Sequence, residues 1–191
     1  MPPKNLEITM AVRPNFDPDY LYFVTTTAIK HAHLFKDVHI KRIILDSFHF
    51  LRTSGRMQLF VFVIMPNHLH FIAKLSKENT LSDVMRDFKR HTARQIIHQL
   101  QEEKLAEILT LLENANDDKR QQYKVWEDGY DARDIFTTSF LEQKMEYIHY
   151  NPCQEQWKLA SLPEEYIWSS ARFYEKDELA IIDIDDIRET L

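Results

Sequence analysis

Two apolar segments separated by only two residues constrain what this chain can fold into. Met57–Met65 is apolar apart from Gln58, His68–Leu75 is apolar apart from His68, His70 and Lys74, and only Pro66 and Asn67 lie between them. The first segment is rich in β-branched and aromatic residues, which favours a strand, and we expect a further strand at His68–Leu75. The Pro-Asn linker is typical of a tight turn or a bulge. Because Met57–Met65 is apolar after Gln58, we expect this strand to be buried on both faces of its sheet.

Two histidines interrupt the second of these strands. His68 and His70 are two residues apart, with Leu69 between them. Side chains of a strand alternate between its faces, so both imidazoles point the same way while Leu69 points into the core. Packing does not call for two imidazoles side by side. They form half of a metal site, and the other half must come from elsewhere in the chain.

The remaining pattern predicts an α+β protein, an antiparallel sheet with helices packed on one face, because strands and helices follow one another without parallel-sheet logic. Asp83 takes the capping-box position behind Thr80, and Glu142 takes it behind Ser139. The predicted elements are a strand at Leu21–Thr27, a helix at His39–Leu51, a long helix capped by Thr80, a fourth strand at Tyr123–Trp126, and a helix that starts near Ser139 and stops at Pro152.

The chain of 191 residues is long enough for one domain. We divide it into an N-terminal arm (1–19), a main domain (20–174) and an acidic C-terminal tail (175–191). The pattern of isoleucines in Ile181–Ile187 indicates that the tail docks on another surface. Only 2 glycines and 1 cysteine are present, which excludes glycine-rich phosphate loops and disulfide frameworks. Without a signal peptide or an apolar span, we expect a cytoplasmic protein.

The predicted C-terminal helix supplies the complement to the histidines. Tyr147 and Asn151 are four residues apart and therefore lie one above the other on a helix face. Packed against the histidines, they would give a metal with two nitrogens and an amide oxygen, next to a phenol. Such a site suits attack of tyrosine on a phosphodiester, with Mg²⁺ or Mn²⁺ as the metal. His149 or a water is a candidate base, and Tyr150 is the competing nucleophile.

The net charge of −6 argues mildly against nucleic acid, but the charge is unevenly distributed. From Lys74 to Arg94 there are six cations against three anions. The spacing of the helical cations fits either a solvated face or a rail for DNA phosphates. The candidate DNA-binding residues are Lys74, Arg86, Lys89, Arg90 and Arg94. A second histidine pair, His31 and His33, has the same spacing as the first, and we interpret it as solvated surface.

Four sequence blocks, in order, resemble the REP-associated tyrosine transposases, a branch of the single-tyrosine HUH transposases. They are Met65-Pro-Asn-His-Leu-His70, Trp126-Glu-Asp-Gly-Tyr-Asp131, Tyr147-Ile-His-Tyr-Asn-Pro152 and Tyr166-Ile-Trp-Ser-Ser170. The resemblance extends from about Tyr22 to Tyr174. It implies a ferredoxin-like fold and the cleavage and joining of single-stranded DNA near small hairpins, by a monomer or a homodimer.

The same resemblance implies a role for each site residue. Tyr147 is expected as the nucleophile, His68 and His70 as metal ligands, and Asn151 stands where related enzymes place a glutamine. The segment after Pro152, Cys-Gln-Glu-Gln-Trp157, departs from the family by lacking a basic residue. That departure and the acidic charge motivate an alternative, a catalytically silent DNA hairpin-binding protein of the same fold. A metallohydrolase using water is a third hypothesis.

Overall fold

The computed structural model describes residue 17, residues 19–118 and residues 120–190, and within them the chain forms an antiparallel sheet with helices. The predicted N-terminal arm (1–19) lies almost wholly outside the described residues. The strands are β1 (Leu21–Thr27), β2 (Met57–Ile64), β3 (His68–Leu75) and β4 (Asp131–Ile135). The helices are α1 (Val38–Thr53), α2 (Leu81–Glu102), α3 (Ala106–Asn114), α4 (Thr138–Tyr150) and α5 (Ala171–Lys176).

The strand order in the described sheet is β2-β3-β1-β4, with every neighbouring pair antiparallel. Helix α1 connects β1 to β2, and α2 with α3 connects β3 to β4. This β-α-β-β-α-β connectivity is the ferredoxin-like arrangement. The predicted α+β class and antiparallel sheet are therefore confirmed, and β1 and β3 have the predicted bounds.

Helices α1 and α2 cover one face of the sheet, as expected. The ring of Phe48 on α1 contacts Phe62, Phe71 and, on α2, Phe88, with ring centroids 5.2–6.1 Å apart. All four side chains are buried, and burying a ring of this size is worth about 1.5–3 kcal/mol. Helix α4 is the exception to the predicted one-sided packing. It crosses the opposite face, to which His70 points, because Phe71 and His70 are neighbours in β3.

The fourth strand is not where the sequence pattern placed it. Tyr123–Trp126 is irregular, and Trp126 joins the sheet only through an isolated bridge to Ala28. The observed β4 pairs with β1 from Leu21↔Ile135 to Thr25↔Asp131. Its sequence, Asp-Ala-Arg-Asp-Ile, has little strand propensity, and its alternating exposure is typical of a short edge strand.

The acidic tail docks on β2, the other edge of the sheet, as the isoleucine pattern indicated. The Asp185 backbone N–H donates to the Leu59 carbonyl (2.7 Å), and the Leu59 N–H donates to the Asp185 carboxylate (3.0 Å). Arg52 donates to the same carboxylate (2.8 Å), and Ile187 is buried. These bonds satisfy backbone groups that an open edge strand would leave free.

In the described part of the chain, no helix is long and apolar enough to cross a bilayer.

Candidate active site

The two histidines of β3 and the tyrosine of α4 meet on one face of the sheet. The Tyr147 hydroxyl lies 3.5 Å from His70 Nε2, and their ring centroids are 5.1 Å apart. The rings of His68 and His70 lie 4.7 Å apart. Phe23 of β1 stacks on His70 (5.6 Å) and contacts Tyr147 edge-on (6.1 Å). Folding therefore brings together three predicted site residues from positions about 77 residues apart.

Polar neighbours fix the orientation of both imidazoles. Asn67 donates through Nδ2 to the His31 carbonyl (3.2 Å), so its Oδ1, 2.6 Å from His68 Nδ1, must accept from that nitrogen. His68 therefore carries its proton on Nδ1 and keeps a free lone pair on Nε2. The Thr25 hydroxyl lies 2.8 Å from His70 Nδ1, and this hydrogen bond orients the second ring. Partners of this kind are typical around histidines that ligate metals.

Both imidazoles are held in the neutral form that metal binding requires. Burial, with a smaller contribution from the nearby His31, lowers the pKa of His68 to about 4. Burial also lowers the pKa of His70 to about 3, with added repulsion from His68 and Lys144. At pH 7 each ring therefore offers an unprotonated nitrogen.

Asn151 lies one turn beyond Tyr147. Lys144 lies over Phe23, and Tyr147 contacts both Phe23 and His70. Phe23 is the β1 partner of Ile72, so Lys144 lies at the level of Ile72, whereas Tyr147 reaches His70, two residues earlier in β3. Helix α4 therefore runs along β3 from the level of Ile72 toward that of His68. Asn151 retains helical backbone angles and continues this direction.

The side chain of Asn151 fits the predicted role of an oxygen ligand. It is buried, and its Oδ1 accepts no hydrogen bond from the described protein. A buried acceptor without a donor is costly, and a cation would satisfy it. Among the described residues, no group of three or more His, Cys, Asp or Glu side chains converges on a metal position. Two imidazoles, one amide oxygen and open positions for water or phosphate are the donors that the chain offers.

Two other residues of α4 face away from the histidines. His149 is buried, and its Nε2 lies 2.9 Å from the Ser170 hydroxyl, so it does not reach the Tyr147 phenol as a base. Tyr150 is exposed and contacts neither His68 nor His70 within the described structure. The helix begins after Thr137, which caps it by accepting from the Phe140 N–H, so the predicted cap at Ser139 is wrong by two residues.

The second histidine pair lies beside the site. His31 and His33 are exposed, as interpreted from the sequence. His33 contacts Trp157 (5.8 Å between ring centroids), and Trp157 contacts His68 (5.7 Å). His33 precedes α1 and Trp157 follows α4 in the chain, so only the fold brings the two together. No sequence signal linked them to His68.

The predicted DNA-binding residues fall into two groups. Lys74 lies at the opposite end of β3 from His68, beside a separate cavity. The other four line one groove of 710 Å³ between α2 and residues 121–130, where Trp126 and Tyr123 also lie; they are Arg86, Lys89, Arg90 and Arg94. The spacing argument thus placed the four helical cations on one face correctly.

The four groove cations are not equally available. The Lys89 ammonium donates to the carbonyls of Glu127 (2.9 Å) and Gly129, and burial lowers its pKa to about 8. Its role is to attach residues 121–130 to α2. Arg86 and Arg90 both pair with Asp87. Arg94 is exposed and has no ion pair within the described structure, so it is the groove cation most available to a phosphate.

The buried histidines predict a loss of stability in acid. Burial lowers the pKa of His149 to about 4, beside the values for His68 and His70. Unfolded histidine has a pKa of about 6.5, so below that pH the unfolded chain takes up protons that the folded chain refuses. We expect the free energy of unfolding of the metal-free protein to have its maximum contribution from these histidines above about pH 6.5. It should fall by about 2 kcal/mol per buried histidine between pH 7 and pH 5.

Urea denaturation at the two pH values measures this loss. A His149→Gln variant serves as a control, because it should remove about a third of the pH dependence, His149 being one of three such groups. Equal unfolding free energies for the wild type at pH 7 and pH 5 would contradict the pKa values.

The chain resembles known proteins in both sequence and structure. The family described as "Transposase IS200 like" matches residues 19–151, which include His68, His70 and Tyr147. A solved REP-associated tyrosine transposase bound to a REP hairpin has 15% sequence identity and a TM-score of 0.58, with 92% of each chain covered. A putative transposase from Deinococcus radiodurans R1 has 14% identity and a TM-score of 0.46, covering 72% of this chain and 93% of that one. No curated protein matches the sequence.

Proposed function

The chain belongs to the family of IS200-like transposases, and from this premise we propose that it cuts and rejoins single-stranded DNA beside hairpins through a covalent link to Tyr147. The observation that supports the proposal most is the position of the Tyr147 hydroxyl, 3.5 Å from His70 Nε2, with the tyrosine 41% exposed. The phenol is thus next to the imidazole pair and open to a DNA strand.

In the proposed reaction, Tyr147 Oη attacks the scissile phosphorus and loses its proton to water. The bond between phosphorus and the 3′-oxygen breaks, and that oxygen takes the electron pair and then a proton from water. The products are a phosphotyrosine at the 5′ side and a free 3′-hydroxyl. Because the phosphotyrosine keeps the energy of the broken bond, a 3′-hydroxyl can reverse the step and join strands.

The metal proposed for this site is Mg²⁺ or Mn²⁺, held by His68, His70 and Asn151. When bound, it would polarise the phosphate and offset negative charge on its oxygens. The chain's own contribution is to keep both imidazoles neutral through burial and oriented through Asn67 and Thr25. Nitrogen ligands favour Mn²⁺ over Mg²⁺.

The partner we propose is single-stranded DNA with hairpin elements. The solved protein of the same fold is bound to a REP hairpin, and this chain offers an open groove with cations and aromatic residues. Cations neutralise phosphates, and aromatic rings stack unpaired bases.

Adduct formation tests the proposed function. The protein is incubated with a hairpin-bearing single-stranded oligonucleotide and, in separate reactions, Mg²⁺ or Mn²⁺, then denatured and separated on a gel. We expect a protein–DNA adduct that requires the metal and disappears when EDTA is added first. Hairpin binding without an adduct under either metal would contradict the proposal and leave the alternative, a silent hairpin-binding protein.

The groove gives a separate prediction about affinity. Arg94→Gln should weaken hairpin binding uniformly across sequences and reduce the slope of log K against log salt by about 1, because one phosphate contact is lost. Fluorescence anisotropy over a range of salt concentrations measures both effects. Arg42→Gln is the matched control, since Arg42 is exposed on α1 and does not line this groove. An unchanged slope in the Arg94 variant would place the DNA elsewhere.

A further inference from the structure

One cation, Lys144, lies beside the proposed nucleophile. Lys144 lies three residues before Tyr147 on α4. Its Nζ is 4.8 Å from the centre of the Phe23 ring, 5.1 Å from that of Phe140 and 5.5 Å from that of Tyr147. Three aromatic faces therefore hold the ammonium in place, a contact that is attractive in itself.

Lys144 has no counter-ion within the described structure. Most of the other half-buried cations are paired: Arg52 with Asp185, Arg56 with Asp87 and Lys124 with Asp117 and Asp128. By contrast, no carboxylate of the described residues lies within 4.0 Å of Lys144 Nζ. A positioned cation without an anionic partner, next to a partly exposed phenol, is suited to an anionic ligand.

The geometry also places Lys144 on the side of the phenol away from His68. Phe23 pairs with Ile72, and Lys144 lies over Phe23, while Tyr147, one turn later on α4, contacts both Phe23 and His70. A phosphate at the Tyr147 hydroxyl would thus lie between the imidazole pair on one side and the ammonium on the other.

We propose that Lys144 is a catalytic residue whose ammonium contacts a non-bridging oxygen of the scissile phosphate during attack by Tyr147. The proposal rests on the proposed function, because it requires a phosphodiester at Tyr147. The ammonium offsets negative charge that builds on the phosphate oxygens as the new bond forms. It does so from a position already fixed by the Phe23, Phe140 and Tyr147 rings, so little reorganisation is needed. The ammonium transfers no proton. The bond formed is that between Tyr147 Oη and phosphorus, and the bond broken is that between phosphorus and the 3′-oxygen.

Single-turnover cleavage of the hairpin oligonucleotide tests this role. Lys144→Met keeps the apolar stem against the rings but removes the charge, and we expect it to slow adduct formation about 100-fold. Lys144→Arg should retain the rate within about tenfold, because it restores a cation at the same place. Lys77→Gln is the matched control, since Lys77 is an exposed lysine beyond the far end of β3; its rate should equal that of the wild type. Thermal unfolding of each variant shows whether the fold is intact.

A modified substrate separates contact with phosphate from a structural effect. In a methylphosphonate, one charged oxygen of the scissile phosphate is replaced by a neutral methyl group, in one of two stereoisomers. On the stereoisomer that lacks the contacted oxygen, we expect the 100-fold difference between wild type and Lys144→Met to shrink below threefold. On the other stereoisomer the difference should persist.

Two results would overturn the proposal for Lys144 alone. The first is a wild type that forms the adduct and a Lys144→Met variant that forms it equally fast. The second is a Lys144→Met variant that is slower than the wild type by the same factor on both stereoisomers, which would assign Lys144 a structural role. A wild type that forms no adduct would overturn both the proposed function and the role of Lys144.

Discussion

Tyr147→Phe should form no DNA adduct, with a loss of at least about 10⁴-fold in the cleavage rate. The substitution removes only the hydroxyl that lies 3.5 Å from His70 Nε2. The ring keeps its contacts with Phe23 and His70, and the hydroxyl is at a partly exposed position, so we expect the free energy of unfolding to change by less than about 0.5 kcal/mol. Hairpin affinity should also be unchanged, because binding does not use the phenol oxygen.

Tyr150→Phe is the control for this prediction. Tyr150 lies on the same helix, is 53% exposed and contacts neither imidazole in the described structure. It should cleave at the wild-type rate. If instead Tyr147→Phe still forms the adduct and Tyr150→Phe does not, the nucleophile is Tyr150 and not Tyr147.

His68→Ala should lose both metal binding and cleavage. Its Nε2 is one of the two imidazole nitrogens proposed as ligands, and few donors remain without it. We expect Mn²⁺ affinity, measured by calorimetric titration, to fall by at least about 100-fold. Removing a residue that only supports a metal ligand lowers the affinity by up to about 100-fold, and removing a ligand itself should lower it at least as much. Adduct formation at fixed Mn²⁺ should fall in parallel, and a large excess of metal should restore part of the rate.

His33→Ala is the matched control for the metal prediction. His33 belongs to the pair with the same spacing, and its ring reaches His68 only through Trp157. Its variant should bind Mn²⁺ like the wild type. Equal Mn²⁺ affinity in His68→Ala and wild type would show that the β3 histidines are not ligands. A loss confined to His33→Ala would place the metal at the other pair.

The sequence was most informative where local patterns decide the structure. The β-branched and aromatic residues of Leu21–Thr27 and the apolar character of His68–Leu75 located two strands with their bounds, and the alternation of strand side chains placed His68 and His70 on one face. Thr80 was recognised as the cap of α2 because its side chain bonds a backbone N–H three residues away, which is a local contact. The position of Tyr147 and Asn151 on one face of a helix followed from their four-residue spacing alone.

Features that depend on distant contacts escaped the sequence pattern. β4 has a charged sequence and exists because β1 offers an open edge, whereas the more apolar Tyr123–Trp126 packs as irregular chain. The support of His70 by Thr25 joins residues 45 positions apart, and nothing local indicates it. Asn67 is different: it directly precedes His68, and its polar side chain in an apolar run was a readable signal. Lys144 was overlooked because its significance depends on Phe23 of another strand.

Locating the covalent bond tests the central claim most directly. The trapped adduct is digested with nuclease and trypsin, and the peptide that carries the remaining nucleotide is fragmented in a mass spectrometer. Trypsin cuts after Lys144 and Lys158, so one peptide contains both Tyr147 and Tyr150, and the fragment masses distinguish them. The account predicts a phosphodiester on Tyr147, formed only when metal is present. A nucleotide on Tyr150 or on another peptide, or an adduct formed equally well in EDTA, would contradict it.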